Sequence, residues 1–206
     1  MTRLTLSIIC LGALTLLAGC GPNKRELNQA NLTRAMNDYL ARRGDLCLAK
    51  NSWPVVVTEA ESLAGSRNAL QMPVLERLGL VEGVDAMAGQ AHARRYQLSA
   101  EGRKYYLARP ARKAPSGNRF LDAGHDFCAA RLSLDKVVGW ERSARPGANN
   151  QAVVTYTYKV SPAPWTADAA LRAVFPMVDA VIRGAGSMQL KEPVVLGAAG
   201  WEAQDL

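Results

Sequence analysis

The first twenty residues, MTRLTLSIICLGALTLLAGC, set where the remainder of the chain folds and so which folds are open to it. Arg3 is the only charge. Residues 4–17 are apolar apart from scattered Thr, Ser and Gly, and the small pair Ala18 and Gly19 leads to Cys20. A charged start, a short apolar middle and a small-residue end are the layout of a secretory signal, too short to span a bilayer comfortably. The 187 residues left after loss of 1–19 are therefore expected to fold outside the cytoplasm, where thiols oxidise. No later run approaches the roughly 18 apolar residues of a membrane helix, which excludes a polytopic membrane protein. With 49% hydrophobic and 21% charged residues the full sequence has enough apolar side chain for a core and too little charge for wholesale disorder.

The cysteines sharpen this picture. Leu17-Ala18-Gly19-Cys20, directly after the apolar run, resembles the bacterial lipobox. The resemblance implies cleavage before Cys20 and acylation of that residue with fatty acids such as palmitate. Gly21, rather than Asp, implies sorting to the outer membrane, so the likeness is to an outer-membrane lipoprotein facing the periplasm. Several acyl chains would anchor it stably, at ~0.8 kcal/mol per buried CH₂. A plain signal peptide with a chance cysteine is the other reading. Cys10 leaves with the signal, so Cys47 and Cys128 remain and are expected to pair, two separately buried thiols being the alternative. No C-x-x-C spacing supports a redox dithiol or a structural zinc, and no metal or cofactor is expected.

The exported chain reads as α+β. Apolar residues Leu32, Ala35, Met36, Tyr39 and Leu40 recur at helical spacing within 24–43, and Gly44 is a natural stop. Short β-prone runs follow at 46–48 and 55–58, then a helix over 66–78 carrying Pro73. A strand starts at Leu80 and Val81, a second covers 92–98, and Ser99 caps a short helix reaching Leu107. Residues 108–118, ARPARKAPSGN, form a basic linker and the best domain boundary, separating an N-terminal helical module (20–107) from a C-terminal one (119–206). Beyond it lie a long strand over 127–140, with Cys128, Ala130, Leu132 and Leu134 pointing inward, and an alternating strand over 152–160. A helix capped by Thr166 and a strand from Met188 complete a β-β-α-β antiparallel module.

Within the first module, ALQMPVLERLGLV (69–81) and RRYQLSAEGRKYYL (94–107) resemble the helix-and-wing segment of winged-helix proteins. In those proteins a helix ends in a Gly-Leu-Val turn, a hairpin wing follows, and the returning strand runs into Leu-Ser/Thr-x-Glu-Gly. The resemblance implies that fold for 69–107. No helix-turn pattern announces a recognition helix, so no nucleic acid partner is expected and the fold is read as reused.

Chemistry is sparse in the sequence. His125, in Asp122-Ala123-Gly124-His125-Asp126, could form a weak metal site or an acid–base pair with Asp122 or Asp126, or the three could be a solvated loop. There is no G-x-S-x-G elbow, phosphate loop or H-E-x-x-H. Charge says more. The chain carries 25 Lys and Arg against 18 Asp and Glu, and the excess is local. Arg94, Arg95, Arg103, Lys104, Arg109, Arg112, Lys113 and Arg119 face Glu101 alone within 94–119, leaving the rest of the exported chain near neutral. This block is either a solvated surface or an anion-facing patch, with Arg94, Arg95, Arg103, Lys104, Arg112 and Lys113 as its binding residues. Three readings follow. The first is a non-enzymatic, lipid-anchored periplasmic protein, attached to the membrane through Cys20, that binds an anionic envelope component or a partner protein, or serves an envelope machine as an accessory subunit. The second is an envelope enzyme built on His125, and the third a DNA-binding winged helix whose N-terminus has been misread.

Overall fold

Asn28 and Gly44 bracket the first helix. The Asn28 side chain accepts a hydrogen bond from the Asn31 amide, and helix α1 (Gln29–Arg43) follows, burying Leu32, Ala35, Met36 and Leu40 on one face. Gly44 ends it for want of room rather than by handedness: its φ is −71°, but a Cβ there would lie 2.4 Å from both the Leu132 and Leu40 carbonyl oxygens. That contact docks α1 on a strand far along the chain, since the Leu132 amide donates to the Gly44 carbonyl at 2.7 Å. A computed structural model describes residues 23–113, 120–121, 124–144 and 147–206. The signal segment with Cys20, and Arg119 and Asp122, lie outside the described residues.

After α1 come β1 (Asp45–Cys47), β2 (Val55–Thr58), α2 (Glu59–Leu63) and α3 (Arg67–Arg77). A hairpin follows, β3 (Val81–Ala88) and β4 (Ala91–Leu98), then β5 (Tyr106–Arg109), β6 (Arg112–Lys113) and β7 (Phe120–Leu121). The second half contributes β8 (Gly124–Arg142), β9 (Gln151–Pro162), α4 (Ala169–Val174), α5 (Pro176–Arg183), β10 (Leu190–Gly197) and β11 (Gly200–Ala203). The chain is thus a mixed α+β protein, and every strand pairing among the described residues is antiparallel. One sheet has the order β1-β8-β9-β10-β11, with β5 also paired to β8; a second has the order β2-β4-β3; β6 and β7 pair with each other. No helix among the described residues is long and apolar enough to cross a membrane.

The long strand departs from simple alternation. Cys128 and Ala130 are buried as expected, but Phe127 and Ala129 on the opposite face are wholly buried too. Phe127 and Ala129 enter a core with Met72, Leu75, Tyr96, Trp165 and Leu171, while Leu132 and Val137 enter another with Leu32, Met36, Tyr158 and Trp201. Register shifts between Leu134 and Lys136 and between Val137 and Gly139 reset which residues face α1, as bulges do. Phe127 sits among aromatic rings, 5.6 Å from Trp165, 6.2 Å from Tyr105 and 6.3 Å from Trp53. Segments on both sides of residues 108–118 share both cores and the larger sheet.

Three local expectations change. The helix after Ser99 is one 3₁₀ turn, Gly102–Tyr105, before β5 begins. Ser99 still organises it, its hydroxyl accepting from the Gly102 amide at 2.9 Å and donating to the Gly79 carbonyl at 2.6 Å. The helix expected after Thr166 is capped instead by Asp168, which accepts from the Leu171 amide. It then breaks at Phe175 because Pro176 has no N–H to continue the ladder. Its apolar face survives the break, with Leu171, Phe175 and Val178 all buried.

Cys47 and Cys128 are bonded, and they are also direct partners in the β1–β8 register. The bridge spans 81 residues, for which chain entropy gives about 4.5 kcal/mol of stabilisation. Chemical denaturation of the protein with and without reducing agent should show a loss of that order on reduction; equal midpoints would show that strand pairing alone holds the two halves.

Candidate functional site

The basic block is dispersed by the fold. Arg94 and Arg95 are adjacent on β4, so they point to opposite faces of the small sheet. Arg94 faces inward over the Tyr96 ring, 5.7 Å from its centroid, and binds Glu76 at 2.7 Å and Asp85 at 3.0 Å. Donating to Glu76 makes the Arg94 guanidinium harder still to deprotonate. Lys104 pairs with Glu101 at 2.5 Å, which raises the lysine's pKa and lowers the carboxylate's. Arg109 shares the largely buried Asp45 carboxylate with Arg131, at 3.1 and 2.6 Å. Arg103 donates to the Leu98 carbonyl at 2.9 Å. Arg112 and Lys113 form β6. Among the described residues, Arg95 and Arg103 have no carboxylate within salt-bridge distance. Arg95 stands on the outer face of the small sheet, in register with Val56 and Val84, two of the larger exposed apolar residues.

His125 is exposed and stacks on Tyr106 at 5.2 Å, beside an open hollow of about 470 Å³ that it lines with Ala108, Arg109 and Pro110. Asp126 is on the other side of the strand, where one carboxylate oxygen accepts from the Lys50 and Phe127 amides at 2.7 and 2.8 Å. That carboxylate holds the chain after the disulfide in place, and the structure does not bring it to the imidazole. No group of three or more His, Cys, Asp or Glu side chains among the described residues could hold a metal ion.

Sequence reasoning missed the ionisable cluster beneath α1. Glu192 on β10 is in register with the buried Val154 and so faces the helix. Tyr39 of α1 donates a hydrogen bond to its carboxylate, and Tyr156 and Asp205 lie close by. Burial pushes Glu192 up to about 7; the Tyr39 bond opposes this and the Asp205 charge adds to it. Burial also raises Tyr39, and takes Tyr156 to about 12. Arg43, one turn on from Tyr39, donates to the Pro110 and Ala111 carbonyls at 2.7 and 2.6 Å and to that of Asp205 at 3.3 Å. The signal was present in LKEPVVLG: Glu192 falls on the same row as Leu190 and Val194, an acid on the inward side of an alternating strand.

The Glu192 environment fixes a sign. The folded state binds its proton more tightly than the unfolded chain, where the ordinary value is 4.5, so stability falls as pH rises from about 4.5 to 7. The upper limit is ~3 kcal/mol, reduced by solvent screening at a half-buried side chain. Glu192→Gln should flatten that part of the stability–pH curve in denaturant titrations, and an unaltered slope would place the proton elsewhere. No family model matches the chain, and neither a curated protein nor a solved structure is similar to it.

Proposed function

We propose that this is a non-enzymatic, lipid-anchored protein of the bacterial envelope, attached at Cys20 on the periplasmic side of the outer membrane and binding another envelope component. The observation that carries the reading is Leu17-Ala18-Gly19-Cys20 placed directly after an apolar run of signal length. The Cys47–Cys128 bond is compatible with export to an oxidising compartment. Helix α1 begins nine residues after Cys20, so the anchor would keep the body within about 30 Å of the membrane surface.

The small sheet bears on how the body binds. The helix α3 leading into the β3–β4 hairpin, with the sheet running β2-β4-β3, supports the winged-helix resemblance of 69–107. Its α3, however, is the helix that would have to enter a DNA groove, and it is packed against α4. Gln71 donates to the Val174 carbonyl at 2.8 Å and Arg77 binds Asp168 at 2.8 Å, which favours a binding role other than duplex reading. Arg95 and Arg103, which have no carboxylate within salt-bridge distance among the described residues, are the contacts we assign to a phosphate-bearing envelope component.

Two measurements test this reading. The intact mass of membrane-extracted protein should show loss of residues 1–19 and acyl chains on Cys20; an unacylated chain would overturn the anchoring. Arg95→Glu combined with Arg103→Glu should weaken retention on immobilised lipopolysaccharide several-fold at low salt, with the difference shrinking as ionic strength rises. Equal retention would remove these residues from the binding surface.

A further inference from the structure

The reach of the anchor depends on where the chain is first fixed to the body, and that point lies ahead of α1. Asn31 on α1 and Trp201 on β11 are buried, 6% and 1% exposed, and both turn their side-chain N–H groups to the segment entering the helix. Asn31 Nδ2 donates to the Asn23 and Glu26 carbonyls at 2.8 Å each, and the Trp201 indole donates to the Arg25 carbonyl at 3.2 Å. The Glu26 amide donates to the Asn23 carbonyl at 3.1 Å and closes a turn. Gly200 lets that turn lie flush on β11: its φ is +117°, and a Cβ there would stand 2.9 Å from the Lys24 carbonyl oxygen. Lifting the turn away would strand two buried donors, so residues 23–26 are part of the body and not a linker.

The turn sits at one end of the large sheet. Gly197 and Gly200 close the β10–β11 hairpin there, around the exposed Ala198 and Ala199. The β8–β9 connection is at the same end, since Arg142 pairs with Ala152 and Gln151 with Val195. The small sheet is at the other end. Its Val57, Val81 and Tyr96 share a core with Phe127, which stands 15 positions before Arg142 on β8, at most ~50 Å along an extended strand.

We infer that the end of the large sheet carrying the Asn23–Glu26 turn and the β10–β11 hairpin is seated on the lipid surface, with the small sheet held out into the aqueous space. This rests on the anchoring at Cys20 proposed above. Three residues lead from Cys20 to Asn23, a reach of about 10 Å whatever path they take. Length, and not charge, selects the bilayer as occupant: Lys24, Arg25 and Arg142 at this end are matched by Glu26, Glu141 and Glu202, all exposed. Residues 147–150, Gly-Ala-Asn-Asn, and Ala198-Ala199 are small and uncharged, so both hairpin ends can approach the headgroups closely. The outward side of α1, on which a toppled body would lie, presents Gln29, Asn37, Asp38 and Arg42 and no large exposed apolar side chain to hold it down. The Arg95 face of the small sheet then meets its partner away from the anchoring leaflet.

The test uses the acylated protein extracted from membranes, its mass established first, in nanodiscs whose lipids carry a nitroxide on the headgroup. NMR follows alanine and methionine methyl groups. Ala198 and Ala199 should be broadened severalfold more than Met87, which is 57% exposed on β3. Six Gly/Ser residues inserted between Pro22 and Asn23 add about 20 Å of reach without touching the turn or either core. That contrast should then fall severalfold while the thermal midpoint stays in place. An unacylated chain overturns the anchoring and takes the seating with it. An acylated chain whose Met87 is broadened as much as Ala198 and Ala199, or whose contrast survives the insertion, overturns the seating alone.

Discussion

Strand β8 is the member on which everything else rests. It pairs with β1, β5 and β9, and it sends side chains into two cores, Phe127 and Ala129 into one and Leu132 and Val137 into the other. From Phe127 to Ala130 both faces of the strand are buried, so a one-residue shift there would exchange what it presents to its two sides at once. The Cys47–Cys128 bond lies where β1 meets this strand and fixes the register at that point. The small sheet, α3 and the α4–α5 pair gather around Phe127, while α1 and β11 gather around Tyr158 and Trp201.

Local pattern carried much of this into the sequence. The apolar row of α1, the alternation of β9 and the β3–β4 hairpin could be read directly, because each depends on residues close in sequence, at most the 17 positions from Val81 to Leu98. So could the partnership of the two cysteines, through compartment and count. Long-range choices were hidden. Nothing near Phe127 announces that Trp165 and Leu171 will cover the outward side of β8, and nothing near Asp45 announces that Arg109 and Arg131 will both bind it. The division at 108–118 followed composition, whereas the cores follow pairing across it.

Charge shows the same limit. A window count finds a strongly positive stretch between 94 and 119, yet Glu76, Asp85 and Asp45, which neutralise part of it, all lie outside the window. What survives as free cation is set by strand parity and by which helix packs nearby. Arg94 and Arg95 differ by one position and have opposite fates.

The seating of α1 has a consequence in time. Its apolar row is covered largely by β8 and β11, and the Trp201 indole donates to the Arg25 carbonyl 176 positions back along the chain. A helix made early therefore waits for a strand made late. Through that interval Leu32, Met36 and Leu40 have no permanent cover, so during synthesis this row is what a chaperone would meet first and what a stalled chain would leave sticky.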